Sequence, residues 1–197
     1  MTDPACDTAW LHDRVGRLRA GDRQAADDLL RAVCGRLDRL ARRMLRGYPV
    51  VRSGADTADV VQGAAVRLAR ALQAVVPAST REFAGLAAVQ VRRELIDLAR
   101  HHTSRGAAAR VHDPATADFG TAGGESPADL ELWANFHAAV DHLPDDEREV
   151  FALLYYHGQT REQAAALLGV SDRTVYRRWA AACVRLSERL GGQLPQG

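Results

Sequence analysis

The sequence predicts an all-α fold, with two helical domains joined by a flexible linker. Three observations carry this. Apolar residues recur at steps of three and four over most of the chain. One stretch, Ser104 to Pro127, loses that period and collects helix breakers. The chain then closes on a short helix, a glycine turn and a second capped helix. Hydrophobic residues make up 47% of the 197 and aromatics only 6%, so the cores are built from Ala, Leu and Val.

In order, Asp7 to Ala20 form a short helix ended by Gly21. Asp22 caps a long helix to about Arg46, with Ala26, Leu29, Leu30, Val33, Leu37, Leu40, Ala41 and Met44 as its apolar stripe. Gly47-Tyr48-Pro49 stops it, and Val50 to Ala55 connect onward. Asp56 or Thr57 starts a third helix that buries Val60, Val61, Ala64, Leu68 and Leu72. Ser79 or Thr80 caps a fourth, running to about His102 and burying Phe83, Leu86, Leu95, Ile96 and Ala99. These helices make a first domain over residues 1–103. Residues 104–128 form the linker, extended and acidic. Residues 129–191 form the second domain, with Leu130, Trp133, Phe136 and Val140 apolar on one helix. Leu143-Pro144 breaks that helix; Asp145 or Asp146 opens the next, which buries Val150, Phe151, Leu153 and Leu154 and ends at His157-Gly158.

The closing stretch, Gln159 to Leu190, is the most informative. Thr160 is an N-cap, with Gln163 placed to complete a capping box. Ala164, Ala165, Leu167 and Leu168 face inward, Gly169 permits a sharp turn, and Val170 plugs the corner. Ser171 caps a helix whose stripe is Val175, Trp179, Cys183 or Ala182, Leu186 and Leu190. Its other face carries Arg173, Tyr176, Arg177 and Arg178. This is the pattern of a DNA-binding helix-turn-helix: the second helix must stand clear of its domain, and its first turns must offer donors to phosphates and base edges. The competing reading is an ordinary helical hairpin with a solvated basic face.

Net charge is +1, but it is unevenly spread. Asp13 to Arg52 hold 11 Arg against 5 Asp, while Arg105 to Glu131 hold 2 Arg against 5 acids. All 26 basic residues are Arg, which fits a GC-rich genome as well as a binding function. Cys6, Cys34 and Cys183 lie far apart and fit reduced thiols in the cytoplasm. No signal peptide and no apolar run long enough for a bilayer is visible. His101, His102 and His112 match no common metal-ligand spacing, and no catalytic motif is present, so neither a metal, a cofactor nor an enzyme activity is expected.

The ordered motifs resemble a family. RLRAGDRQAADDLLRAVCGRLDRLARRML, DTADVVQGAAVRLARAL, FAGLAAVQVRRELIDLAR and LPDDEREVFALLYYHGQTREQAAALLGVSDRTVYRRW are similar to successive segments of bacterial sigma factors of the extracytoplasmic-function type. The resemblance implies that the first domain corresponds to sigma domain 2 and the second to sigma domain 4. It implies as partners core RNA polymerase, through the β′ clamp helices and the β flap, and promoter DNA. An anti-sigma factor is a further partner it allows, and membrane insertion is not expected. Asp56, Asp59, Val60, Val61 and Gln62 would meet the clamp helices. Arg92, Arg93, Asp97, Arg100 and His101 would take the −10 element, with Arg92, Arg93 and Arg100 on phosphates of the separated strand. Ser171, Arg173, Thr174, Tyr176, Arg177 and Arg178 would take the −35 element.

Two departures from the family pattern stand out. Leu86 and Ala87 occupy positions where a Trp-Leu pair is common, which shifts promoter melting toward base capture. Ala180, Ala181 and Ala182 follow Trp179 where basic residues are usual, so −35 contact either falls earlier on the helix or is weaker. The residues also allow a free-standing helix-turn-helix regulator, or a helical adaptor that has lost DNA binding.

Overall fold

The computed structural model describes residues 8–45, 54–112 and 127–195, with the side chains of 54–60, 104–112 and 127–129 outside the description. Every regular element among the described residues is helical. In chain order these are α1 (Thr8–Arg19), α2 (Arg23–Met44), α3 (Gly54–Ala74), α4 (Thr80–His112), α5 (Pro127–Ala139), α6 (Asp145–Phe151), α7 (Arg161–Leu168) and α8 (Asp172–Arg189). A 3-10 turn, Val140–His142, follows α5, and a π-helical turn, Ala152–Tyr156, extends α6.

The caps form where the sequence places them. Asp22 accepts the N–H groups of Gln24 and Ala25 at 2.8 and 3.4 Å, satisfying two donors of the first turn of α2. Ser79 caps α4 by accepting the N–H of Glu82 at 3.1 Å, while Glu82 in turn accepts the N–H of Ala78. Gly21 turns α1 into α2 with φ +86°. Gly47-Tyr48-Pro49 lies outside the described residues. α3 begins at Gly54, two residues ahead of the predicted Asp56.

The stripes bury much as predicted, with small shifts. On α2 it is Ala25 rather than Ala26 that is buried, beside Leu29, Val33, Leu37, Leu40, Ala41 and Met44. On α4 the buried set is Phe83, Ala84, Ala87, Ala88, Val91, Leu95, Leu98 and Ala99; Leu86 and Ile96 are half-buried. α5 packs along α4, the most extensive helix pair among the described residues. One apolar cluster runs from Leu11 and Val15 through Phe83 and Leu95 to Trp133, Phe136, Phe151 and Leu186. The front and back helices therefore share a continuous core.

The linker expectation needs one correction. α4 runs for 33 residues, to His112, so residues 104–112 continue the helix. Ser104 to His112 lack an apolar period, but Ala107, Ala108 and Ala109 carry high intrinsic helix propensity, and a helix already nucleated extends at little cost. Residues 113–126 lie outside the description.

Candidate nucleic-acid interface

The helix-turn-helix is built from backbone chemistry. Thr160 accepts the Gln163 N–H at 3.2 Å, and Gln163 Oε1 accepts the Thr160 N–H at 2.9 Å, so the capping box is complete. Gly169 ends α7 in the left-handed region at φ 66°, ψ 32°, and the Val170 N–H reaches back to the Ala165 carbonyl at 3.1 Å. A Cβ at Gly169 would meet nothing within 4 Å, so glycine is needed here for its backbone angle, not for space. Ser171 then caps α8 by accepting the Thr174 N–H at 3.2 Å; its hydroxyl also lies 2.9 Å from that of Thr174.

α8 buries Val175, Ala182 and Leu186, which settles the choice at the third stripe position for Ala182 over Cys183. Trp179 stacks on Phe151 of α6, centroids 5.2 Å apart and planes 12° apart. With that face fixed, Arg173, Tyr176 and Arg177 project into solvent from the first two turns. Arg178 does not join them: its Nε lies 3.0 Å from Asp146 of α6, and its side chain is only a quarter exposed. Arg161, which the sequence reading passes over, belongs to this face. Its guanidinium sits over the Tyr176 ring at 5.8 Å and 3.7 Å from Asp172. The available signal was an arginine at the first position of a helix, where the macrodipole favours an acid.

On α4, Arg93, Asp97, Arg100 and His101 fall at i, i+4, i+7 and i+8 and share one exposed face. Arg67 of α3 tethers that face, with Nη1 3.1 Å from Asp97 and 2.9 Å from Glu94. Glu94 is buried, and burial holds its carboxyl above the usual range despite Arg67.

Arg92 lies elsewhere. One helical step from Arg93, it turns inward, is 5% exposed, and pairs with Asp141 of the 3-10 turn. In this arrangement it is not brought together with Arg93 and Arg100. Of the third group, Val61 is half-buried against the core and Gln62 is exposed, while the side chains of Asp56, Asp59 and Val60 lie outside the described residues.

Behind these surfaces His137 and His157 are buried. His157 places Nε2 2.8 Å from the Ala84 carbonyl, so that nitrogen carries the proton and donates. Burial pushes its pKa down to about 4. His137 meets the Tyr156 hydroxyl at 2.9 Å, and burial pushes its pKa down to about 3. Burial also drives the Tyr155 phenol up to about 12. Among the described residues no group of three or more His, Cys, Asp or Glu could hold a metal ion. No described helix is long and apolar enough to cross a membrane.

Comparison with known proteins places the chain in a family. The family described as ECF sigma factor matches residues 10–191. A probable RNA polymerase sigma factor, RfaY of Xanthomonas campestris pv. campestris, is 28% identical over 175 residues. That alignment covers 88% of this chain but 42% of the relative, so the chain spans less than half of that protein's length.

Proposed function

The chain belongs to the ECF sigma factor family, and from that premise we propose that it directs core RNA polymerase to a particular set of promoters. The family is one of transcription initiation factors rather than catalysts. The observation that carries the reading is the exposed start of α8: beyond a left-handed glycine, Arg173, Tyr176 and Arg177 project from two turns whose other face is locked into the core. Those turns fit the major groove of a duplex −35 element, with the helix N-terminus adding partial positive charge. Arg161 beside Tyr176 adds a phosphate donor at the groove edge. Ser171 and Thr174 serve the cap first, and Ala180 to Ala182 keep the contact short.

The face of Arg93, Asp97, Arg100 and His101 on α4 takes the separated −10 strand, the arginines on phosphates and Asp97 held in place by Arg67. The start of α3, bearing Asp56, Asp59, Val60, Val61 and Gln62, docks on the β′ clamp helices, and the helix-turn-helix half sits on the β flap. Residues 1–103 and 129–191 act as the two working bodies. An anti-sigma factor would compete for these same surfaces.

Co-purification with core polymerase tests the docking. Asp59→Arg or Val60→Asp should lower retention on core polymerase with helical content unchanged; full retention in both removes α3 as the docking site.

A further inference from the structure

Tyr176 projects from the second turn of α8 and is 56% exposed. It is an aromatic ring left open to solvent on a face otherwise built of charge. Arg161, the first residue of α7, sets its guanidinium 5.8 Å from the ring centroid. The same guanidinium lies beside Asp172, with Nε 3.7 Å from Oδ1. Contacts therefore run from the first residue of α8 through α7 and back to the ring: Asp172, Arg161, Tyr176. The neighbouring groups are otherwise engaged. Ser171 and Thr174 put their hydroxyls 2.9 Å apart in the cap, and Asp146 holds Arg178. Tyr176 is thus an apolar surface flanked on α8 by the exposed Arg173 and Arg177.

On the major-groove edge of a base pair, the apolar feature is the 5-methyl group of thymine. Resting on the promoter reading above, we propose that Tyr176 reads a thymine methyl in the duplex and that Arg161 is a positioning residue holding the ring for it. The guanidinium occupies one face of the ring, so the opposite face and the edge are available to the base.

Two physical arguments support this assignment. The first concerns freedom. An exposed tyrosine samples several rotamers, and ordering it on contact costs affinity; a ring already held against a cation loses less. The second concerns charge. Asp172 suits the positive end of α8, yet a carboxylate there repels an approaching phosphate. Arg161 at 3.7 Å offsets that charge while it holds the ring. One side chain thereby serves both the approach of the backbone and the reading of the base.

The test uses the full chain and a pool of duplexes with a randomised window of about one helical turn. A duplex enriched by the wild-type chain is remade with deoxyuridine replacing each thymine in turn. That exchange removes a methyl and leaves every hydrogen-bonding group of the base edge. At one position it should weaken wild-type binding about fourfold, the value for burying one carbon. Tyr176→Phe should keep that ratio, and Tyr176→Ala should abolish it. Arg161→Ala should about halve it, because an unheld ring seats less often. A ratio lost in Tyr176→Phe assigns the contact to the hydroxyl and overturns the proposal, as does a ratio that survives Tyr176→Ala. An Arg161 that met only a phosphate would, when replaced by Ala, weaken both duplexes equally and lower the salt slope by about one. That result, with the ratio unchanged, also overturns the proposal. Should Arg161→Ala disturb the helical signal, Arg161→Gln must lower the ratio in the same way, and an unchanged ratio overturns it. An enriched duplex in which no exchange costs affinity sinks the methyl contact and leaves the promoter reading standing. A wild-type chain that enriches no duplex sinks both.

Discussion

The Trp179 ring lies flat on Phe151, 5.2 Å between centroids and 12° between planes. That stack joins α8 to α6 and sets the rotation of α8 about its axis. Val175, one turn earlier, and Ala182 and Leu186 beyond, complete the buried seam. Because α8 is pinned on this side, Arg173, Tyr176 and Arg177 are presented on the other.

Trp179→Ala should therefore cost both stability and duplex binding. Truncating a half-buried tryptophan from a ring stack should destabilise by about 2–3 kcal/mol. Trp179→Phe should recover most of both. Chemical denaturation together with a promoter-duplex titration reads the two effects; a stability loss with unchanged binding would mean that α8 is oriented by something else.

Arg177→Ala should weaken binding to promoter duplex by about 1–3 kcal/mol, if the contact is bidentate to a base edge. Arg178→Ala should cost less in binding, because Asp146 already engages that guanidinium at 3.0 Å. Fluorescence anisotropy at fixed salt checks the order; an equal or larger loss at Arg178 reverses the assignment.

Two glycines with positive φ separate strain from space. Gly169 has φ +66° and open surroundings, so Gly169→Ala should cost only the left-handed penalty of about 1–2 kcal/mol. Gly158 has φ +68°, and a Cβ there would lie 2.8 Å from Arg36 Cζ. That guanidinium donates to the carbonyls of Tyr155 and Tyr156 at 2.7 and 3.0 Å, so it cannot yield freely. Gly158→Ala should be the more destabilising of the two in thermal unfolding; equal losses would show that Arg36 moves aside.

Acid should loosen the fold before carboxylates titrate. His137 and His157 have folded pKa values of about 3 and about 4, against an ordinary 6.5. The unfolded chain thus binds more protons below pH 6.5, and stability is lost as pH falls from there toward 4. Each histidine contributes a slope of up to about 1.4 kcal/mol per pH unit. Above pH 6.5 this contribution is fully present. Denaturant midpoints between pH 7 and 5 should fall, and His157→Gln should flatten part of the decline; a flat profile in the wild-type chain contradicts the burial of both rings.

Local chemistry made much of this legible. Asp22, Ser79, Thr160 with Gln163, Gly169 and Ser171 act through neighbours two to five residues away, and sequence spacing alone identifies such partners. The apolar stripes followed the same logic, to within a residue on α2. What escaped depends on distant partners. Arg92 and Arg93 are adjacent and chemically alike, and only the position of Asp141, 49 residues on, turns one inward. The bond between His157 and the Ala84 carbonyl spans 73 residues and leaves no local trace. Residues 104–112 show the complementary case, in which alanine propensity extends a helix that carries no periodic signal.

The central claim is that the chain gives core polymerase its choice of promoter. Transcription of a genomic promoter library by core polymerase, with and without the purified chain, tests it most directly. The account predicts discrete start sites that appear only with the chain and fade with Arg177→Ala. Tight operator binding by the chain alone without any new transcript, or neither binding nor transcript, would contradict it.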